Sequence, residues 1–193
     1  MGVYLVNAST WCLGEESCWP EVFMGLAAEF AGRGIDAELS IPEPRRLPRG
    51  SGHGFEEKLI PPMTGFSHLC TAELKAGDAE VFDWGLLVPV DFEGMIELPV
   101  ESSYSCTTTV RSAQRMLPVA RRLAEALELP ADLPLHCDNL QLTEFFMDRE
   151  EDGPTSATPT GRWAEDIGTA FYVAMYLRAA EYSLRCNCPL FFS

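Results

Sequence analysis

The spacing of hydrophobic positions predicts strands and a helix in the first part of the chain. Residues 3–8 alternate weakly between apolar and polar side chains, which predicts a short buried strand. Pro20 suits a first helical turn, and the apolar positions over 22–30 recur at helical spacing until Gly32 stops the run. A second short strand is predicted around 35–41. This order is typical of the start of an α/β or α+β layer.

Residues 42–65 interrupt this pattern with five prolines and four glycines. That composition predicts a long loop. Long loops inside a compact domain are usually functional or mobile, so we expect residues 42–56 to exchange their amide hydrogens faster than the helices. A helix capped near Thr64 and ended by Gly77 follows.

Strands dominate the predicted centre of the chain. The segment 84–92 is the most strand-like, and Pro89 within it indicates an edge position or a bulge. The segments 95–100 and 104–110 are expected to be further strands, which together would form an antiparallel meander.

Helices are predicted for most of the remainder. Helical spacing covers 110–127, where Pro118 should kink the helix or mark its first turn. The segment 139–148 fits a strand or a helix equally well, and the acidic segment 149–161 is predicted to be a mobile loop. The longest helix is predicted from Trp163 to about residue 185, and its apolar residues lie nearly all round it, which indicates a central position.

These elements predict a single α+β domain over residues 1–193. Its sheet is expected to be mixed or antiparallel and covered by helices, with a long buried C-terminal helix. No shift in composition divides the chain into two domains.

The charge of the chain limits its partners. The 29 acidic and 14 basic residues give a net charge of -15, which disfavours binding to nucleic-acid backbones and to anionic membranes. The same charge suits a basic protein partner or a cationic ligand, although a merely well-solvated surface is the ordinary alternative. We expect no cofactor, and the oligomeric state is left open.

Cysteine content and the N-terminal sequence predict a cytoplasmic protein. The seven cysteines are odd in number, and the first residues lack the positively charged region of a signal peptide. Reduced thiols in a reducing compartment are therefore expected. The longest apolar stretch, 171–177, is too short to span a membrane. Twelve arginines against two lysines suggest a bacterial source by association.

One candidate ligand site combines hydroxyl groups with arginines. Residues 102–124 contain four arginines and no acid in an otherwise acidic chain. Arg111 and Arg115 are predicted to share a helix face at i, i+4 spacing near the helix N-terminus, where they could hold a phosphate or carboxylate. The alternative is a threonine-rich strand, a Ser112 cap and arginines paired with acids. The ligand-binding candidates are Ser105, Thr107, Thr109, Arg111 and Arg115.

A second candidate site contains histidine, glutamate and cysteine. Its members are His53, Glu56, Glu57, His136 and Cys137. Their spacing does not match a zinc motif and the chain has no C-x-x-C, so no metal site is predicted. Cys137 could act as a nucleophile only if a base reached it across the fold, because adjacent residues point in different directions.

A third candidate surface is acidic. Residues 76–110 contain seven acids and no base, and Asp91, Glu93, Glu97 and Glu101 are candidates for contact with a basic partner. A solvated strand face is the alternative interpretation.

Two functions follow from these candidates. We favour a cytosolic, acidic, non-catalytic binding protein of the inhibitor, immunity or accessory type that engages a basic partner. The alternative is a small enzyme or an anion- or ligand-binding domain. It would use the 42–65 loop with His53, Glu56 and Glu57, together with the helix start at Arg111 and Arg115.

Overall fold

The computed structural model describes residues 2–8, 19–37, 48, 50–60, 62–101, 106–151 and 161–193. Its strands are β1 (Val3–Asn7), β2 (Glu56–Leu59), β3 (Leu86–Val88), β4 (Ile96–Leu98), β5 (Thr108–Ser112) and β6 (Leu190–Phe192). Its helices are α1 (Trp19–Gly32), α2 (Thr64–Glu73), α3 (Ala113–Leu127), α4 (Gln141–Glu151) and α5 (Ile167–Cys186). Two short 3-10 helices cover Asp78–Phe82 and Arg162–Glu165.

The six strands form one mixed sheet in the order β2-β1-β6-β3-β5-β4. The β3–β5 pair is parallel and the other neighbouring pairs are antiparallel. The predicted α+β domain with a mixed sheet is therefore confirmed. The predicted meander over the central strands is wrong, because β5 inserts between β3 and β4 instead of following β4 outward.

Helix α5 is the long buried C-terminal helix that the sequence predicts. Every residue from 169 to 176 is buried, so the helix is covered on all sides over two turns. It packs against α2, α3, α4 and β3. Within the described ranges, no helix has an apolar stretch that would let it cross a membrane.

Asp166 sets the start of α5. Its carboxylate accepts hydrogen bonds from the backbone N–H of Thr169 at 2.9 Å and from the Thr169 hydroxyl at 2.6 Å. The helix therefore begins after Asp166, while Trp163 lies in the preceding 3-10 helix. Helix α2 passes this cap at Gly65, where a Cβ atom would overlap Asp166 and Thr169. Only glycine allows this close approach.

Helices cover both faces of the sheet. Cross-strand pairing and alternation place Leu98 and Phe192 on opposite faces. Helix α1 lies over Leu98, since a Cβ atom at Gly25 would meet that side chain at 3.2 Å. On the other face, Phe192 stacks on Trp84, whose ring contacts Tyr176 of α5.

The predicted loop over 42–65 is wrong for residues 56–59, which form β2. This strand pairs with β1 from Val3↔Leu59 to Val6↔Glu56. Residues 42–47 of the same prediction lie outside the described residues. Helix α2 starts at Thr64 as predicted, but its N-cap is Met63, which makes no side-chain cap. It ends at Glu73, because Leu74 adopts an extended conformation. The helix therefore ends four residues before the predicted stop at Gly77.

The central strand is shorter and more interior than predicted. Only 86–88 of the segment 84–92 is a strand, and it lies between β6 and β5, so an edge position is wrong. Pro89 directly follows the strand and so removes no ladder hydrogen bond. Pro118 lies inside α3, which starts after Ser112 rather than at the proline.

The remaining predictions concern segment boundaries. The ambiguous segment 139–148 is helical from residue 141. Helix α4 also includes 149–151 of the predicted mobile loop, and residues 152–160 lie outside the described residues. In the predicted strand over 35–41, residues 35–37 have no regular structure and the rest is not described.

We predict that Asp166→Ala lowers the free energy of unfolding by roughly 1 kcal/mol, because it removes both cap hydrogen bonds of α5. Urea denaturation measures the change. Glu165→Ala removes the same charge at the preceding exposed position and is the matched control. Equal losses for the two variants would contradict the role assigned to the cap.

Candidate functional site

One region, which we call the junction, brings together the catalytic candidates: His53, Glu56, Glu57, His136 and Cys137. It consists of residues 50–57 and 136–143. Phe55 and Cys137 form an isolated parallel bridge, and the backbone N–H of Glu56 donates to the Cys137 carbonyl. On the other side, the backbone N–H of Gly52 donates to the Asp138 carboxylate at 2.6 Å. These bonds fix the glycine-rich turn to the chain that enters α4.

Glu57 caps the N-terminus of α4 from strand β2. Its buried carboxylate accepts the backbone N–H groups of Leu142 and Thr143, both at 2.9 Å, and the Thr143 hydroxyl at 2.8 Å. Burial raises the pKa of Glu57, and these hydrogen bonds oppose that effect only in part. These contacts give the carboxylate a structural role, because the first N–H groups of a helix have no acceptor within the helix.

Cys137 is buried beside this carboxylate. Burial, followed by the charge of Glu57, raises the pKa of the Cys137 thiol far above its ordinary range. The thiol therefore stays protonated at neutral pH, whereas a nucleophilic cysteine must ionise. This environment disfavours Cys137 as a catalytic nucleophile.

The two histidines of the junction are exposed. The Tyr182 hydroxyl donates to the backbone carbonyl of His53 at 2.9 Å. The ring of His136 packs on Gly52, where a Cβ atom would lie 2.7 Å from Nδ1 and where φ is +75°. Among the described residues, neither imidazole hydrogen-bonds to Cys137 or Glu57, so neither histidine acts on these two groups as an acid–base partner.

The cavity at the junction is small. Its volume is about 140 Å³, and its walls include Phe55, His136, Cys137, Arg178 and Tyr182. Typical small-molecule sites are several hundred cubic ångströms in volume. In the part of the chain that the structure describes, no three His, Cys, Asp or Glu residues are grouped to hold a metal ion.

Arg111 and Arg115 lie away from the junction and do not share a helix face. Arg111 belongs to β5 and is buried, and its Nε donates to the Asp83 carbonyl at 3.3 Å while Nη2 lies 3.6 Å from Glu80. Arg115 belongs to the first turn of α3 and binds Asp91 through two hydrogen bonds of 2.6 and 3.3 Å. The predicted helical pairing of these arginines is wrong, because the chain is still extended at position 111.

The hydroxyl candidates do not surround the arginines, and two of them, Thr107 and Thr109, line a groove beside α2. Thr109 Oγ1 accepts the backbone N–H of Gly85 at 2.9 Å, which helps to align β5 with the start of β3. Ser112 caps α3 by accepting the Arg115 N–H. Ser105 lies outside the described residues. The arrangement matches the alternative of a threonine-rich strand followed by a serine cap.

Arginines from β5 and α3 neutralise part of the acidic segment. Asp78 pairs with Arg122 at 2.7 Å, which lowers the pKa of Asp78. Glu80, Asp91 and Glu93 pair with Arg111 or Arg115. Glu97 on β4 and Glu101 beyond it are exposed, and neither has an ion-pair partner among the described residues.

A larger groove lies between α2 and one end of the sheet, and the predicted ligand-binding residues Thr107 and Thr109 are part of its wall. Its volume is about 600 Å³. Sequence reasoning missed its aromatic residues, which come from α2, the first 3-10 helix, the segment before β3, α5 and β6: Phe66, Phe82, Trp84, Tyr176 and Phe192. Asp83 is the single charged residue among the described residues that line it. No local pattern could have revealed the groove, because the fold brings together rings that are far apart in sequence.

We predict that Cys137 reacts with iodoacetamide at pH 7 much more slowly than the exposed Cys186, because the buried thiol stays protonated. Peptide mapping by mass spectrometry after short exposures measures both rates, with the buried Cys188 as a control. Labelling of Cys137 as fast as that of Cys186 would restore it as a candidate nucleophile.

We predict that ionisation of Glu57 costs stability as the pH rises. Its folded-state pKa is raised, so its contribution is complete below the unfolded value of about 4.3 and is lost as the pH passes through the folded value. The free energy of unfolding of the wild type, relative to Glu57→Gln, should therefore fall from pH 4.5 towards neutrality. Urea unfolding across this range tests it, with the exposed Glu97→Gln as control. A difference that grows with pH would show that the cap hydrogen bonds outweigh burial.

Comparison with known proteins yields no assignment. No protein-family model, curated protein or solved structure matches this chain. Its function therefore has to be inferred from the contacts and charges of its own residues.

Proposed function

We propose that the chain is a non-catalytic binding protein that engages a basic partner through the β4 edge, defined as strand β4 with Glu97 and the following Glu101. The absence of catalysis is supported by the junction. Glu57 caps a helix there, the Cys137 thiol is held neutral, and both histidines are exposed. The enzyme alternative has less support, because its arginines are paired with acids elsewhere.

The position of β4 carries the proposal. Within the described chain, β4 is the last strand of the sheet and pairs only with β5. An edge strand offers free backbone N–H and C=O groups to a further strand, and its side chains select the partner. Here the exposed side chain at the centre of the strand is Glu97, flanked by the buried Ile96 and Leu98.

Charge supports a cationic partner at this edge. The net charge of -15 attracts basic surfaces in general, whereas Glu97 and Glu101 supply a local contact that no described arginine neutralises. Asp91 and Glu93 already form ion pairs with Arg115. The Glu93 side chain nevertheless remains 86% exposed and adds negative charge near the β4 edge. The Debye length is about 8 Å at physiological ionic strength, so these acids act at contact range. The proposal keeps the cytoplasmic location predicted from the sequence.

We predict that the double variant Glu97→Lys, Glu101→Lys no longer captures a basic partner. The two lysines would repel the positive charges that the glutamates attract. Pull-downs from the native host at low and high salt measure this capture. Folding should be nearly unchanged, since exposed substitutions typically alter stability by about 0.5 kcal/mol or less each.

The matched control is Glu144→Lys with Asp148→Lys. It makes the same change in net charge on the exposed surface of α4. Partners lost from the β4 variant but retained by the α4 variant support the proposal. Equal losses would indicate a general charge effect, and retention of every partner by the β4 variant would make the proposal wrong.

A further inference from the structure

We propose that the groove beneath α2 binds a small organic cation with an apolar body, of the alkylammonium class. The inference does not depend on the proposed partner, and the groove adjoins the β4 edge, because Thr109 of its wall pairs with Glu97. The groove lies at one end of the strands, with Leu59 of β2 and Phe192 of β6 on one side and Ser67 and Thr71 of α2 on the other. Its volume of about 600 Å³ is within the range of small-molecule sites.

The floor of the groove is an aromatic cluster. The ring centroids of Phe66, Phe82 and Tyr176 lie 4.9 to 5.2 Å from one another. Trp84 stacks on Phe192 at 4.7 Å with an interplanar angle of 26°, and Phe192 is only partly buried. These side chains pack against one another, so the floor is held in place before any ligand arrives. An alkyl group would be desolvated against it, with a gain in affinity of about threefold to fourfold per methylene.

The charge at the groove selects a cation. Asp83 is the single charged residue among the described residues that line it, and this residue is exposed. Arg111 donates to the backbone carbonyl of Asp83, and its ion pair is with Glu80 instead of the Asp83 carboxylate. Aromatic ring faces attract an ammonium group as well. A carboxylate ligand, by contrast, would meet Asp83 with no cation in the wall to compensate.

Isothermal titration with three six-carbon probes tests the charge selection. The probes are hexylammonium, 1-hexanol and hexanoate, which each contain six carbon atoms in a straight chain and differ in charge. We expect the ammonium to bind about three to ten times more tightly than the alcohol, and hexanoate to bind most weakly. Asp83→Asn should reduce this preference and leave affinity for the alcohol unchanged, whereas Glu144→Gln, on an exposed position of α4 that does not line the groove, should alter neither.

A blocking variant tests the location. Thr71→Trp fills the groove from an exposed position on α2, and Ala72→Trp places the same side chain on the neighbouring exposed position, which does not line the groove. Loss of binding in the first variant with retention in the second supports the site. The proposal is overturned if the wild type binds none of the probes saturably, if the alcohol or hexanoate binds as tightly as the ammonium, or if Ala72→Trp loses as much affinity as Thr71→Trp. Should Thr71→Trp fail to fold, the Asp83→Asn comparison decides.

Discussion

The burial of α5 on all sides is the constraint on which the rest of the structure depends. A helix with buried residues at every position from 169 to 176 must have neighbours in every direction. The sheet supplies one, and α2, α3 and α4 supply the others. Its polar contacts then fix segments that have little regular structure of their own. Arg178 donates to the carbonyls of Leu133 and Pro134, and Tyr182 donates to that of His53.

The same constraint explains why the junction is structural in character. Covering α5 requires α4 to pack against it, and the N-terminus of α4 is then buried next to β2. Buried N–H groups need acceptors, and a carboxylate satisfies several at once. In the sequence, Glu57 resembles a catalytic acid because histidine and cysteine candidates accompany it. In the fold, its carboxylate accepts the free N–H groups at the start of α4.

The sequence predicts those elements whose own spacing of apolar residues reflects the surface that they bury. Helix α1 and helix α5 have apolar positions that reflect the surfaces they cover. The prediction is close at both ends of α1 and at the end of α5, whereas α5 starts four residues after the predicted Trp163. Strand β2 could not be predicted, because its sequence Glu-Glu-Lys-Leu has no strand-like composition and depends on pairing with β1. The position of Arg111 could not be predicted either, because it depends on β5 extending as far as Ser112. The groove required knowledge of topology, since its aromatic side chains come from separate elements.

The distribution of arginine determines where the large negative charge acts. Arginines of β5 and α3 lie against Asp78, Glu80, Asp91 and Glu93, so the acidic segment is largely compensated along its length. The uncompensated carboxylates described in that segment are Asp83 at the groove and Glu97 and Glu101 at the β4 edge.

These two places would respond differently to salt. Exposed carboxylates at a sheet edge are screened within about 8 Å at physiological ionic strength, so contacts there weaken as salt is added. A cation bound in the groove would also bury the apolar surface of its alkyl group against the packed rings. Screening by salt does not weaken this burial. Cation binding that survives high salt therefore indicates the groove, whereas binding that disappears indicates the edge.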